Sequence, residues 1–158
     1  MKKLLCALGC ALVLSIAPSA GAQEKPAAQL TSAEWLARIQ ADRKAIVAKS
    51  MDLTAEEAKK FWPLYAQFER ELAVPQSSYT RAILDYIAAE GSLTDANAKR
   101  ITEQVLTAAK DEARLHDKHY RQLLKVIPAR KATRYMQIEN KMQAIVRYES
   151  AKAIPLAY

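Results

Sequence analysis

The chain has little cysteine and glycine, and it contains no recognisable catalytic motif. Its two cysteines, Cys6 and Cys10, lie within the first 22 residues, and Gly91 is the only glycine beyond them. Residues 23–158 therefore have no thiol for a disulfide or for thiolate metal binding. Gly-x-Ser-x-Gly, a phosphate-binding loop and His-Glu-x-x-His are all absent, so we expect neither an enzyme nor a bound cofactor.

Residues 1–22 have the form of a cleaved export signal. Lys2 and Lys3 precede an apolar run over residues 4–17, and small residues follow at 20–22. The run is shorter than the about 20 residues that a membrane span needs. We expect a periplasmic protein with no stable membrane span in its mature chain.

The expected mature chain is the length of one ordinary domain. Residues 23–30 are predicted to form a flexible lead-in and residues 31–158 a single helical domain. The net charge is −2 over residues 23–98 and +7 over residues 99–158. A basic half favours an acidic or anionic partner, although a well-solvated surface has the same composition. We expect no nucleic-acid partner in the periplasm.

The composition predicts an all-α protein. Alanine, leucine, lysine, glutamate and arginine dominate, and no alternating stretch of valine and isoleucine occurs. Capping boxes, in which a hydroxyl and a glutamate three residues later satisfy free N–H groups, are predicted at Thr31 with Glu34 and at Thr54 with Glu57. The first helix is expected to end near Lys49.

The second predicted helix carries a long apolar seam. Apolar residues alternate in steps of three and four at Ala58, Phe61, Tyr65, Phe68, Leu72, Pro75, Tyr79, Ala82 and Tyr86. The seam keeps its phase across Pro63 and Pro75, which predicts one proline-bent helix of about 36 residues, roughly 54 Å long. A break at residues 73–75 is the alternative.

Two further helices follow. Gly91 is predicted to stop the second helix as a left-handed C-cap, and a third helix should start at Thr94 and end near Ile127. Pro128 suits the first turn of a fourth helix, where Tyr135, Ile138, Met142 and Ile145 repeat the spacing. The tail over residues 154–156 is expected to dock on the helices. The predicted fold is an elongated antiparallel hairpin or bundle of about four helices, two of them long and proline-kinked.

Aromatic positions suggest a homodimer. Together they offer more apolar surface than one helical hairpin easily covers. These positions are Trp35, Phe61, Trp62, Phe68 and Tyr79.

The third helix has an apolar arc and, nearly opposite, a basic one. At 100° per residue, five cations fall within about 80°. This basic stripe consists of Lys110, Arg114, Lys118, Arg121 and Lys125. It is a candidate site for acidic segments of a client protein, and the alternative is a solvated outer face.

Glu112, His116 and His119 lie on or beside the apolar arc. Together they form a candidate metal site, because imidazole and carboxylate suit zinc, nickel or copper. The alternative is a hydrogen-bonded core histidine next to a histidine on the flank of the same face.

Two short repeats give a family resemblance. Leu53-Thr54 with Ala58 and Leu93-Thr94 with Ala98 are forty residues apart. With the signal and the long helices, they resemble the Spy/CpxP-like periplasmic proteins, which carry Leu-Thr-x-x-Gln twice; Glu57 and Asn97 stand at the glutamine positions. Residues 53–65 and 134–141 also resemble small exported helical proteins without an assigned activity.

The resemblance implies binding of unfolded or partly folded envelope proteins without ATP, often by antiparallel dimers with a basic, partly apolar cradle. Related members bind metals or restrain a signalling partner. The leading hypothesis is therefore a chaperone-like or envelope-stress protein. The alternatives are a metal-binding or metal-sensing protein that uses His116 and His119, and a structural scaffold of the envelope.

Overall fold

Four helices make up most of residues 30–157, the part of the chain that this computed structural model describes. They are α1 (Ser32–Met51), α2 (Ala55–Ala88), α3 (Asp95–Leu123) and α4 (Ala129–Ala153). No strand occurs in this range, so the predicted all-α class is confirmed. The expected signal over residues 1–22 and the lead-in up to residue 29 lie outside the described residues.

Both predicted capping boxes form. The Glu34 N–H donates to Thr31 Oγ1 at 3.3 Å, and the Thr31 N–H donates to Glu34 Oε2 at 2.8 Å. The pair Thr54 and Glu57 repeats both bonds at the same distances. Reciprocal bonds of this kind satisfy two free N–H groups at a helix start, which explains why the starts of α1 and α2 were predictable.

A break inside α1 was not predicted. Asp42 has φ −157° and ψ 76°, outside the helical region. Its Oδ1 accepts a hydrogen bond from the Ala45 N–H at 2.8 Å, so the side chain caps the second segment of the helix. The break directly precedes Arg43 and changes the direction in which that side chain leaves α1.

Helix α2 is continuous through both of its prolines. It has 34 residues, close to the predicted length, and the alternative break at residues 73–75 does not occur. Pro75 is buried in the seam, whereas Pro63 is exposed. The prediction that two long helices contain proline holds for α2 only, since α3 contains no proline.

Two predicted helix ends were wrong. Gly91 is left-handed, with φ +84°, but α2 already ends at Ala88, so Gly91 belongs to the following turn rather than to the C-cap. Helix α3 ends at Leu123 instead of near Ile127. Residues 124–127 form a turn, in which the Ile127 N–H still donates to the Leu123 carbonyl oxygen at 3.0 Å. Pro128 is the N-cap of α4 rather than a residue of its first turn.

The helices form two antiparallel pairs. Between α2 and α3, Glu71 pairs with Lys118 at 2.8 Å and Asp85 with Arg100 at 3.3 Å. Between α1 and α4, the Arg134 Nε–H donates to the carbonyl oxygen of Ser50 at 2.6 Å. The α1–α4 pair packs on the α2–α3 pair near the α1–α2 turn, where Lys131 of α4 pairs with Glu57 of α2 at 2.6 Å.

The core lies where α1, α2, α4 and the C-terminal end of α3 meet. The Phe61 ring is edge-on to the Tyr135 ring, with centroids 5.3 Å apart. Most of the predicted seam of α2 is buried, namely Phe61, Tyr65, Phe68, Leu72, Pro75 and Ala82, whereas Ala58, Tyr79 and Tyr86 are half-buried. Of these residues, Phe61 and Tyr65 belong to this core. Since Phe61 and Phe68 are covered within one chain, these two rings give no reason for a dimer.

The C-terminal tail docks through one hydrogen bond. The Tyr86 hydroxyl donates to the carbonyl oxygen of Pro155 at 2.9 Å, whereas Leu156 remains 77% exposed. Across residues 30–157, the helices lack any stretch long and apolar enough to cross a membrane.

We expect Thr54→Ala to lower the free energy of unfolding by about 1 kcal/mol, because it removes the side-chain cap of α2. Urea unfolding followed by circular dichroism measures the change. Thr102→Ala, at an exposed position within α3, is the matched control and should change stability by less than about 0.5 kcal/mol. Equal losses in the two variants would contradict a stabilising cap at Thr54.

Candidate functional site

Four members of the predicted basic stripe lie on the solvent side of α3, whereas Lys125 lies in the turn that follows the end of α3 at Leu123. All five side chains are exposed. Three of them are neutralised by carboxylates, in the pairs Arg114–Asp111, Arg121–Asp117 and Lys118–Glu71 at 3.1, 3.0 and 2.8 Å. Within residues 30–157, Lys110 and Lys125 make no ion pair. The stripe is therefore less positive than its sequence suggests.

An open groove lies between α2 and α3, with a volume of about 1040 Å³. We call it the α2–α3 groove. Small residues on the facing sides of the two helices leave room for it, and among these are Ala73, Ser77, Ala82, Thr107 and Ala108. Because short side chains cannot fill the space between two helices, they leave a trough open to solvent.

The α2–α3 groove combines apolar and charged side chains. Val74, Pro75 and Leu115 contribute apolar surface, and Val74 is 68% exposed. The charged lining contains three cations and three carboxylates, so it is balanced: Arg81, Arg100, Arg114, Glu71, Glu103 and Asp111. One end of the predicted stripe, at Arg114, therefore belongs to this groove.

The three candidate metal ligands do not form a common site. His116 Nε2 lies 3.7 Å from Glu112 Oε1, and the other oxygen of Glu112 lies 3.2 Å from Arg147 Nη2. The nearby His116 ring is the main cause that lowers the pKa of Glu112, although 3.7 Å is too long for a hydrogen bond. No group of three or more His, Cys, Asp or Glu side chains in the described range is placed to hold a metal.

His119 is a core histidine. Its ring stacks on Phe68, with centroids 4.3 Å apart and planes at 16°, and its centroid lies 5.2 Å from that of Tyr135. Neither ring nitrogen has a hydrogen-bond partner among residues 30–157, so the expectation of a hydrogen-bonded core histidine was wrong in that respect. Burial lowers the pKa of His119 to about 4, helped by repulsion from His116, and the ring is neutral at pH 7.

A buried ion cluster joins three helices and was missed from the sequence. Arg43 of α1 contacts Glu139 of α4 and lies 3.3 Å, Nε to Oε1, from Glu69 of α2. The Glu139 side chain is fully buried, and that of Arg43 is 16% exposed. The sequence signal was present: Glu139 lies four residues after Tyr135 and three before Met142, in the apolar seam of α4.

Two phenols border the buried ion cluster. Burial is the main cause that raises the pKa of Tyr65 and of Tyr135, with the nearby carboxylates adding to it. Burial also raises the pKa of Glu69 against the opposing effect of Arg43. The cluster therefore depends on a single cation, since a lone carboxylate in such surroundings is costly to keep ionised.

Comparison with known proteins adds no family. No family model matches the chain, and neither does any curated protein or solved structure. The resemblance to Spy/CpxP-like proteins stays a prediction, and the function has to be inferred from the geometry described above.

We expect Arg43→Met to lower the free energy of unfolding by about 3 kcal/mol at pH 7, because it leaves Glu139 buried without a counter-charge. The double variant Arg43→Met/Glu139→Met should recover part of that loss. Arg100→Met, which removes the exposed pair with Asp85, is the control and should cost less than about 1 kcal/mol. Urea unfolding tests all three variants, and a loss in Arg43→Met no larger than the control would contradict the cluster.

The protein should become less stable as the pH falls, because the folded state disfavours protonation of His119. The folded pKa lies below the ordinary value of 6.5 at about 4, so the unfolded chain binds more protons between these pH values. Protonation therefore favours unfolding as the pH falls, by about 2 kcal/mol between pH 7 and pH 4.5.

Urea unfolding of the wild type and of His119→Leu at pH 7 and pH 4.5 measures this contribution. The variant should lose about 2 kcal/mol less over the interval, whatever its absolute stability. Carboxylates that titrate in both proteins cancel in the comparison. An equal loss in both proteins would show that His119 titrates normally.

Proposed function

We propose that this chain is an exported, chaperone-like or envelope-stress protein of the periplasm that binds unfolded or partly folded proteins without ATP. The observation that carries the proposal is the α2–α3 groove, an open trough with apolar side chains between balanced charges. Exposed apolar surface bordered by polar residues is typical of sites that bind other proteins. The all-α fold, the expected export signal and the resemblance of the repeats add support.

The groove suits clients of varied sequence. Val74 and Leu115 offer apolar contact to any exposed apolar segment, at about 25 cal/mol per Å² of surface removed from water. The stems of Arg81 and Arg114 can extend that apolar surface while their charged ends stay in water. Because the charged lining carries three residues of each sign, it favours neither acidic nor basic clients strongly.

The basic stripe has a smaller role in this proposal than the sequence suggested. Only Lys110 and Lys125 of its five members keep an uncompensated charge, since the other three are paired with carboxylates. Charge attraction would then assist the first encounter, and apolar contact would hold the client. Raising the salt concentration, which screens exposed charges, should slow capture without abolishing it.

The metal-binding alternative has no support among the described residues, because Glu112 and His116 are occupied with Arg147 and with each other. The homodimer expected from the sequence stays a prediction. Of the five aromatic positions that suggested it, Trp35, Trp62 and Tyr79 are half-buried, so these three would still offer apolar surface to a dimer interface.

We expect Val74→Asp to weaken suppression of client aggregation several-fold, because a carboxylate in the apolar part of the groove costs about 1–3 kcal/mol of contact with an apolar client. Light scattering of α-lactalbumin unfolded by reduction measures it, at low and at high salt. Leu84→Asp is the matched control, at a similarly exposed position of α2 outside the groove.

Wild-type protein should suppress aggregation at a stoichiometric ratio, and the control variant should match it. Absence of suppression by the wild type would refute the proposed function. Equal weakening in Val74→Asp and Leu84→Asp would show that the α2–α3 groove is not the site of client binding. Loss of all suppression at high salt would make charge the main source of binding instead.

A further inference from the structure

A second groove lies between α1 and α4, with a volume of about 590 Å³. This α1–α4 groove shares no lining residue with the α2–α3 groove. Its lining is mainly apolar: Trp35 and Ile46 come from α1, and Ile138, Met142 and Ile145 come from α4. Met142 is buried and the other four are half-buried, so the bottom of the groove is apolar and held in place by packing.

The charge of the α1–α4 groove has one sign. Arg134 and Lys141 line it and are exposed, and none of its ten lining side chains is acidic. Lys141 makes no ion pair within residues 30–157. The Arg134 Nε–H donates to the Ser50 carbonyl oxygen, and its terminal nitrogens contact no carboxylate of the described residues. The balanced α2–α3 groove has no such preference for one sign of charge.

The lining side chains of α4 are spaced along one face of the helix. Arg134, Ile138, Lys141 and Ile145 follow in steps of four, three and four residues, over about 17 Å. Since α1 runs antiparallel to α4, Trp35 lies at the end of the groove away from Ser50. A groove of this length accepts about three turns of a partner helix.

We propose that the α1–α4 groove binds an amphipathic helix of a partner protein, with apolar residues on one side and aspartate or glutamate beside them. Apolar residues at helical spacing would pack on Ile138 and Ile145, and Trp35 would form the end contact, as large aromatic residues often do in interfaces. The carboxylates would pair with Lys141 and Arg134, so charge complementarity selects an acidic helix over a basic one.

The same charges argue against a second copy of the chain as the occupant. A symmetric dimer through this groove would bring Arg134 and Lys141 of both copies together, and like charges at a desolvated interface disfavour association. The proposal is also independent of client binding, because the two grooves use different helices.

The fluorescence of Trp35 can report binding in the α1–α4 groove. The chain has two tryptophans, so Trp62→Phe leaves Trp35 as the only one. The probe is a designed acidic amphipathic peptide of about 18 residues, long enough to form a helix, with glutamate beside its apolar positions. A second peptide has the same apolar positions and lysine in place of glutamate. We expect the acidic peptide to bind at least tenfold more tightly and to shift the Trp35 emission.

Two variants test the groove itself. Lys141→Glu should weaken the acidic peptide about tenfold and strengthen the basic one, without touching the core, since the side chain is exposed. Ile138→Asp should weaken both peptides. Lys60→Glu, at an exposed lysine of α2 that lines neither groove, is the matched control and should leave both affinities unchanged.

Several outcomes would overturn the proposal. Equal affinity for the two peptides would remove the charge preference, and an unchanged affinity in Lys141→Glu would place binding elsewhere. A Trp35 shift with phosphatidylglycerol vesicles but not with the acidic peptide would assign the groove to a lipid surface. Self-association in analytical ultracentrifugation that Lys141→Glu alters and Lys60→Glu does not would assign it to a second copy.

Discussion

The contact of Arg43 with Glu139 and Glu69 is the interaction on which the arrangement of the helices depends. A guanidinium group and two carboxylates lose most of their contact with water here, and only close pairing compensates for that loss. The contact fixes α1 relative to both α2 and α4. The break at Asp42 directly precedes Arg43, the residue of α1 that makes the contact. The α1–α4 groove lies between two of the helices that this contact joins.

The two grooves differ in origin and therefore in selectivity. The α2–α3 groove exists because small residues face each other on two long helices, and its lining charges cancel. The α1–α4 groove has larger apolar side chains and only positive charge around them. In the functions proposed above, the groove with balanced charge would bind varied clients, whereas the groove with charge of one sign would bind one kind of helix. One small fold can in this way offer a general and a selective surface.

The sequence predicted the features that depend on neighbouring residues. The capping boxes at Thr31 and Thr54 and the seam from Phe61 to Ala82 follow from local hydrogen bonds and helical spacing. The features that depend on distant residues were not predictable. Lys118 loses its free charge only because Glu71 of another helix lies beside it, and the partner of Glu139 is 96 positions away. The break at Asp42 competes with an otherwise helical pattern.

The distance along the chain between Arg43 and Glu139 also has a consequence for the order of folding. Helices α2 and α3 are joined by a short turn and can pair as soon as both exist, whereas α1 packs mainly on α4, the last helix to be synthesised. Contacts between distant residues form late because the intervening chain must be ordered first. A chain that emerges N-terminus first therefore keeps Val47 and Met51 uncovered until its end arrives. During that interval the incomplete chain exposes apolar surface that the finished fold buries.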